Sequence, residues 1–340
     1  VSGPPGAGQT PYARELAAAA AAVAEASALA RSVQARIAAS GERMTKADRS
    51  PVTVADLAAQ AVISVRLAAA FPEVPLMAEE GSSELRDPAN ATLAAEVLAL
   101  ARTALPGLDR AGLEAALERG GHGGGPRGRF WVLDPVDGTR GFLRGEQFAV
   151  ALALVEDGDP VLGVLGLPNL PLRPGDPSGP RGVLVTAVRG AGAWIRPLSG
   201  GQPSPIRTSD VADPAAGSFC ESVERAHSSH GLTARIAARL GLTAPPYRVD
   251  GQTKYAIVAR GEASIYLRLP SRPGYREKVW DHAAGTVIVT EAGGRVTDIH
   301  GRPLDLGRGR DLGETGGIVV TNGPLHAAVL AAVRAELATG

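Results

Sequence analysis

Two aspartates three residues apart, Asp134 and Asp137, stand in the string Trp131-Val-Leu-Asp134-Pro135-Val136-Asp137-Gly138-Thr139. The apolar run before them reads as a strand over 130–133, and Pro135 locks the turn that follows. A strand ending this way can deliver both carboxylates and the Val136 carbonyl to one point. Oxygen-only ligands of this kind suit Mg²⁺. Gly138-Thr139-Arg140 reads as a helix start, whose backbone N–H groups can take a phosphate. An Asp-Pro turn with a solvated Asp-Gly would explain a bare Asp-x-x-Asp, but it leaves the rest of the string unexplained.

Other acidic residues fit the same centre. Glu79-Glu80 ends the apolar run Pro75-Leu-Met-Ala, where a helix cap or a surface pair is the ordinary alternative. Asp281, in Val279-Trp280-Asp281-His282-Ala-Ala-Gly285, starts an apolar helix, where an N-cap carboxylate is the alternative. Three acidic clusters, far apart in sequence and each at an element end, form the pattern of a multi-metal site. Asp56 lies on a helix among Ala55, Leu57, Ala58 and Ala59, a setting that also suits a surface aspartate. A phosphate monoester dianion repels an anionic nucleophile, so its hydrolysis needs charge neutralisation, which paired metals can supply.

Several residues point nowhere. His227 and His230 have metal-pair spacing but no cysteine or further histidine nearby to complete a site. His122, His300 and His326 read as loop or surface residues. Cys220, the only cysteine, reads as a small buried apolar residue. Trp131, Trp194 and Trp280 read as core anchors. The leader string Gly3-Pro-Pro-Gly-Ala-Gly8-Gln9-Thr10 imitates a phosphate-binding loop. It has Gln9 where the lysine belongs and no preceding strand.

The elements that must position this chemistry follow from pattern. Residues 1–11 are Gly/Pro-rich and read as a flexible or removed leader. Residues 12–39 and 54–70 read as helices, the first rich in Ala, Leu and Arg without internal Gly or Pro. A short strand at 76–78 leads into Glu79. Helices are expected at 90–105 and 112–119, then a glycine-rich loop at 120–128. β-rich runs at 148–155 and 161–167 flank Asp157-Gly158-Asp159-Pro160 and read as a hairpin. A second strand pair, 183–188 and 193–195, turns at Gly190-Ala-Gly192. The loop at 197–205 is the expected boundary between a 12–200 α+β domain with an antiparallel sheet and a 201–340 α/β domain. In the latter, helices are expected at 232–240, 254–260, 281–292 and 324–338, and extended segments at 248–249, 264–267, 295–297 and 317–321.

Composition bounds the rest. The chain has 340 residues, 44 % hydrophobic and 21 % charged, an ordinary globular balance. Lys+Arg and Asp+Glu both number 35, which argues against a general nucleic-acid or membrane binder. No apolar run is expected to reach the roughly 20 residues of a membrane span. One cysteine fits a reducing compartment, so a soluble intracellular protein is expected, with cytoplasm and organelle both open. Only Lys46, Lys254 and Lys278 are lysines in an arginine-biased chain, which draws attention to each.

Taken together, four stretches resemble the inositol monophosphatase superfamily of lithium-sensitive, Mg²⁺-dependent phosphatases. They are Ser50 to Gln60, Ala78 to Ser83, Phe130 to Val155, and Trp280 to Gly294. Gly141-Phe-Leu-Arg-Gly-Glu-Gln-Phe-Ala-Val150, Ala226-His227-Ser-Ser-His230 and Tyr266-Leu-Arg-Leu-Pro270 are similar to its 3′(2′),5′-bisphosphate nucleotidase branch. The resemblance implies a layered αβαβα sugar-phosphatase fold and about two to three Mg²⁺ ions. It implies that Glu79, Asp134, Asp137, Asp281 and the Val136 carbonyl hold them. Asp56 and Thr139 would orient and deprotonate the attacking water, and the Gly138 and Thr139 amides would grip the phosphate. His227, Gly251, Lys254 and Arg268 would sit against the nucleotide, with Asp281 also in reach. The branch often has Ser where this chain has Gly251, so a hydroxyl contact is lost there. The implied substrate is adenosine 3′,5′-bisphosphate, with 3′-phosphoadenylyl sulfate as a relative and no protein partner evident. Inositol phosphates are the alternative substrate, and a nucleotide-binding sensor without turnover is the alternative of another class.

Overall fold

The computed structural model describes residues 11–40, 50–176, 178–223, 230–269 and 274–338. Two long helices open the fold, α1 (Ala13–Ser40) and α2 (Ser50–Ala70). α2 is apolar almost all round and is accordingly buried, packed against α1 and against α4 (Ala91–Ala101) and α5 (Arg110–Glu118). The short α3 (Ser83–Arg86) precedes α4. The expectation about apolar length is corrected here. Ala13–Ala39 and Val52–Ala70 are both long and apolar enough to cross a membrane, although most of the second and half of the first are buried inside the fold.

A seven-stranded sheet lies beneath these helices, its strands in sequence order. They are β1 (Leu76–Ala78), β2 (Arg129–Asp137), β3 (Ala149–Glu156), β4 (Asp159–Pro171), β5 (Arg181–Val188), β6 (Ala193–Pro197) and β7 (Ser204–Ile206). β1 runs parallel to β2, and every other pair is antiparallel. The sheet thus extends through β7, into the 201–340 segment assigned to the second domain. Alternation along β2 sends Trp131 and Leu133 to the helix layer, and Phe130 and Val132 to the opposite face.

That opposite face packs on a helical layer, α8 (Thr253–Ala259) and α9 (Ala283–Glu291). The approach is close: a Cβ on Gly163 of β4 would lie 2.6 Å from the Ala284 carbonyl oxygen. A five-stranded sheet follows, ordered β11 (Arg295–Asp298), β12 (Ile318–Thr321), β10 (Ile265–Arg268), β8 (Phe219–Glu221), β9 (Tyr247–Arg248). α7 (His230–Arg239) and α10 (His326–Ala338) supply the last layer, with their own apolar cluster. The result is the expected αβαβα sandwich.

Some local readings change. β2 does not stop at Leu133 but runs through Asp137 with a bulge between Asp134 and Asp137. Pro135 has no N–H for the ladder, so the extra residue is accommodated there. His326 is not a surface residue. It is buried at the start of α10, with Nε2 3.0 Å from Thr297 Oγ1 and Nδ1 2.9 Å from Thr321 Oγ1. Burial, with Arg295 nearby, pushes its pKa down to about 4. Cys220 and the three tryptophans are buried as expected.

Candidate active site

The bulge in β2 aims its carboxylates into a cavity of about 450 Å³. Every expected site residue that the structure describes lines it: Asp56, Glu79, Asp134, Val136, Asp137, Gly138, Thr139, Gly251, Lys254, Arg268 and Asp281. His227 lies outside the described residues.

The positions follow from the elements. Pairing of Ala78 with Leu133 brings Glu79 beside Asp134, and the Glu79 N–H donates to the Leu133 carbonyl at 3.2 Å. Asp56 sits on α2, one helical turn before Gln60. Gln60 is fully buried. Its Nε2 donates to the Glu80 carbonyl at 2.7 Å, and its Oε1 accepts from the Glu80 N–H at 3.1 Å. One side chain therefore ties the Glu79–Glu80 backbone to the helix that carries Asp56. Asp281 is not an N-cap, because His282 takes that place on α9 and no cap hydrogen bond forms. Asp281 instead faces Arg268 Nη2 at 3.6 Å.

Gly138 has φ +93° and caps α6 (Thr139–Leu143), a single short turn. It meets Gly251, where φ is +64° and a Cβ would lie 2.5 Å from the Asp137 carbonyl oxygen. This contact joins the acidic string to the loop before α8. The missing hydroxyl at 251 is thus matched by backbone packing that leaves no room for one in this geometry.

Sequence reasoning missed Gln60 as a brace and Arg310 altogether. Arg310 donates to the carbonyls of Ala78 at 2.5 Å and of Gly120 and His122 at 3.2 Å. Its guanidinium lies 4.7 Å from the Trp280 ring centroid. It therefore pins the strand end before Glu79 to the residue before Asp281. No local pattern marks it, because its partners are backbone carbonyls of a strand end and a loop, brought to it by tertiary folding.

The electrostatics are those of a crowded anionic site. Burial, then Asp281, Glu80 and Asp137, push Glu79 up to about 8. Burial, with Asp137 next, pushes Asp281 up to about 6. Burial and neighbouring carboxylates raise Asp134 and Asp56 well above the usual range. Asp134 Oδ1 is buried without a hydrogen-bond partner. Unpaired buried carboxylate oxygens among like charges are costly, and a hard divalent cation would satisfy them. These residues therefore fit such an ion. A second group, Glu277, Asp281 and His282, places ligand atoms within 4.8 Å of one another. Arg268 and His282 already engage Glu277, at 3.2 and 3.1 Å, so that group carries its own counter-charge.

The cations differ in their partners. Lys254 is 2 % exposed, and its Nζ lies 3.4 Å from the Val249 carbonyl and 5.3 Å from the Tyr266 ring centroid. Among the described residues it has no ion pair. Burial lowers its pKa. Of the acids near it, Asp250 is held by Arg144 and Glu262 by Arg260 at 2.9 Å, while Asp137 acts on it from the acidic cluster without an ion-pair contact.

Known proteins are similar to this chain. The chain matches the inositol monophosphatase family over residues 12–338. A 3′(2′),5′-bisphosphate nucleotidase of Oryza sativa is 45 % identical over 340 residues, covering 95 % of this chain and 94 % of that one. One from Emericella nidulans is 42 % identical, covering 86 % and 90 %. Among solved structures, Mycobacterium tuberculosis SuhB superposes with a TM-score of 0.61 at 22 % identity, covering 95 % and 97 %, a likeness of fold. A family match over residues 12–338, with a relative 45 % identical along nearly the whole chain, makes this chain a member of the inositol monophosphatase family.

Proposed function

We propose that this chain is a Mg²⁺-dependent 3′(2′),5′-bisphosphate nucleotidase. It removes the 3′-phosphate of adenosine 3′,5′-bisphosphate to give AMP and phosphate. The observation that carries this reading is a buried lysine without a counter-ion in the same cavity as the acidic cluster. A metal-assisted phosphatase needs the carboxylates. A substrate with a second phosphate also needs a cation that the protein has not already neutralised. Relatives named 3′(2′),5′-bisphosphate nucleotidase, at 42–45 % identity, support a nucleotide that carries two phosphates as the substrate.

In this reading Glu79, Asp134, Asp137, Asp281 and the Val136 carbonyl hold about two to three Mg²⁺ ions, which supply charge neutralisation and a more acidic water. Asp56, on the cavity wall beside the acidic cluster, takes the proton of the attacking water, with Thr139 orienting it. The Gly138 and Thr139 amides face the scissile phosphate. Lys254 and Arg268 take the second phosphate, with Gly251 and His227 beside the nucleotide.

The test is phosphate release from adenosine 3′,5′-bisphosphate beside inositol 1-phosphate and 3′-AMP, with and without Mg²⁺ and Li⁺. The bisphosphate should be preferred, with no turnover in excess chelator and inhibition by Li⁺. Lys254→Ala should lower kcat/KM for the bisphosphate by about 10- to 150-fold, the worth of a charge-assisted contact, and change 3′-AMP far less. Equal losses on both substrates would refute the assignment of Lys254.

A further inference from the structure

Arg268 stands between two carboxylates that have opposite needs. Asp281 lies 3.6 Å from Nη2, on the cavity wall beside the acidic cluster. Glu277 lies 3.2 and 3.3 Å from Nε and is 1 % exposed. If Arg268 closed on Asp281, it would neutralise a carboxylate intended for a cation and withdraw its own charge from the substrate.

Glu277 is itself fixed from behind by a buried chain. His282 Nε2 lies 3.1 Å from Glu277 Oε2, and His282 Nδ1 lies 2.6 Å from the Tyr255 hydroxyl. Burial alone would raise the pKa of Glu277, but the hydrogen bonds and charges of His282 and Arg268 override it and hold it low. An ionised Glu277 only accepts, so His282 donates from Nε2. Its Nδ1 meets the Tyr255 hydroxyl on the other side of the ring. The chain of bonds runs from Tyr255 through His282 to Glu277. Tyr255 cannot shift easily. Its ring is buried, and a Cβ on Gly285 would lie only 2.2 Å from its Cγ. Residues from α8, β10 and the start of α9 thus converge on one carboxylate. None of Tyr255, Glu277 or His282 carries a role in the reaction described above.

We propose that Glu277, braced by His282 and Tyr255, is a positioning residue that holds Arg268 by its Nε, so that Nη2 meets Asp281 only across 3.6 Å, too long for a hydrogen bond, and the guanidinium does not close on the carboxylate that a cation needs. This inference rests on the metal and substrate assignments under Proposed function. Simple electrostatics predicts the opposite sign for one variant. Removing the Glu277 charge should strengthen anion binding at Arg268 if only net charge matters. Loss of positioning should weaken it.

The test is calorimetric Mg²⁺ titration of the substrate-free protein, for wild type, Glu277→Gln, Arg268→Ala and the double variant, with thermal melts to confirm folding. Glu277→Gln should weaken Mg²⁺ binding by on the order of 10- to 100-fold, the usual effect of losing a partner that orients a metal ligand. It should also raise KM for adenosine 3′,5′-bisphosphate. Arg268→Ala should bind Mg²⁺ at least as tightly as wild type. The double variant should return to the Arg268→Ala value, because no guanidinium remains to fall onto Asp281. If the double variant keeps the Glu277→Gln defect, the role of Glu277 is merely structural and the inference is wrong. Unchanged Mg²⁺ affinity in a folded Glu277→Gln also overturns it. Should Glu277→Gln fail to fold, Tyr255→Phe is decisive. It should weaken Mg²⁺ binding by roughly threefold, within the range of one neutral hydrogen bond, and adding Arg268→Ala should abolish that loss. A wild-type protein that binds no Mg²⁺ would overturn the metal reading itself, an outcome distinct from any of these.

Discussion

Binding of Mg²⁺ should be strongly pH-dependent, and the crowding of carboxylates sets how strongly. With Glu79 near 8 and Asp281 near 6, the metal-free protein at pH 6 holds a proton almost fully on the first and half the time on the second. A cation bound to both must displace them, which amounts to about 1.5 protons at pH 6 and about 0.1 at pH 9. Integrated between pH 6 and pH 8, these two groups alone strengthen Mg²⁺ binding by on the order of 100-fold. Asp134 and Asp56, also raised, add to this. Stability carries the matching sign. Glu79 and Asp281 have folded pKa values above their ordinary 4.5 and 3.8, so the folded metal-free protein binds more protons than the unfolded chain. Their contribution to stability is therefore fully present at low pH and is lost as pH rises through about 6 and then about 8. Stabilisation by Mg²⁺ grows over the same window. Calorimetry in two buffers of different ionisation enthalpy reads the proton release directly, and melting with and without Mg²⁺ reads the stability. An affinity that changes by less than about threefold from pH 6 to pH 8, without net proton release, would refute the reasoning, since each displaced proton is worth tenfold per pH unit.

Asp134→Asn removes one charge from a repelling buried cluster. The metal-free protein should melt higher, by about 1–2 °C for each kcal/mol of repulsion relieved, while turnover falls by several orders of magnitude. A lower melting temperature with near-native turnover would show that Asp134 serves the fold. Gln60→Leu leaves both backbone groups of Glu80 without their partners, which costs about 1–3 kcal/mol for each. A folded variant should also bind Mg²⁺ more weakly, because Glu79 precedes Glu80, and unchanged affinity would refute the bracing role. Gly285→Ala drives a methyl group into the Tyr255 ring and should cost about 1–3 kcal/mol in urea unfolding. A neutral effect would mean that Tyr255 has room to move.

The acidic strings were legible because their chemistry is local. Asp134, Pro135 and Asp137 lie on one short stretch, where proline's missing N–H and two carboxylates constrain each other within four residues. The helices and strands were legible for the same reason, since periodicity and turn residues act over a few positions. Even there, context intervened. A bulge replaced the turn expected at Pro135 because β3 pairs on past it, and His326 was drawn inside by two threonines from other strands. Apolar length alone could not separate α2 from a membrane span; its packing under α1, α4 and α5 did.

What sequence could not supply is which charges meet. Lys254 and Arg268 are both basic residues among apolar neighbours, yet one is buried without an ion pair and the other is shared between Glu277 and Asp281. Arg310 reaches carbonyls some 190 to 232 positions earlier in the chain. Charge–charge energy varies with separation and burial, and both are set by how distant elements pack rather than by residue type. The sequence by itself therefore determined the inventory of ligands and cations and the elements carrying them. Only the tertiary structure decided which carboxylates crowd together, which cation is left uncompensated and which side chains brace them.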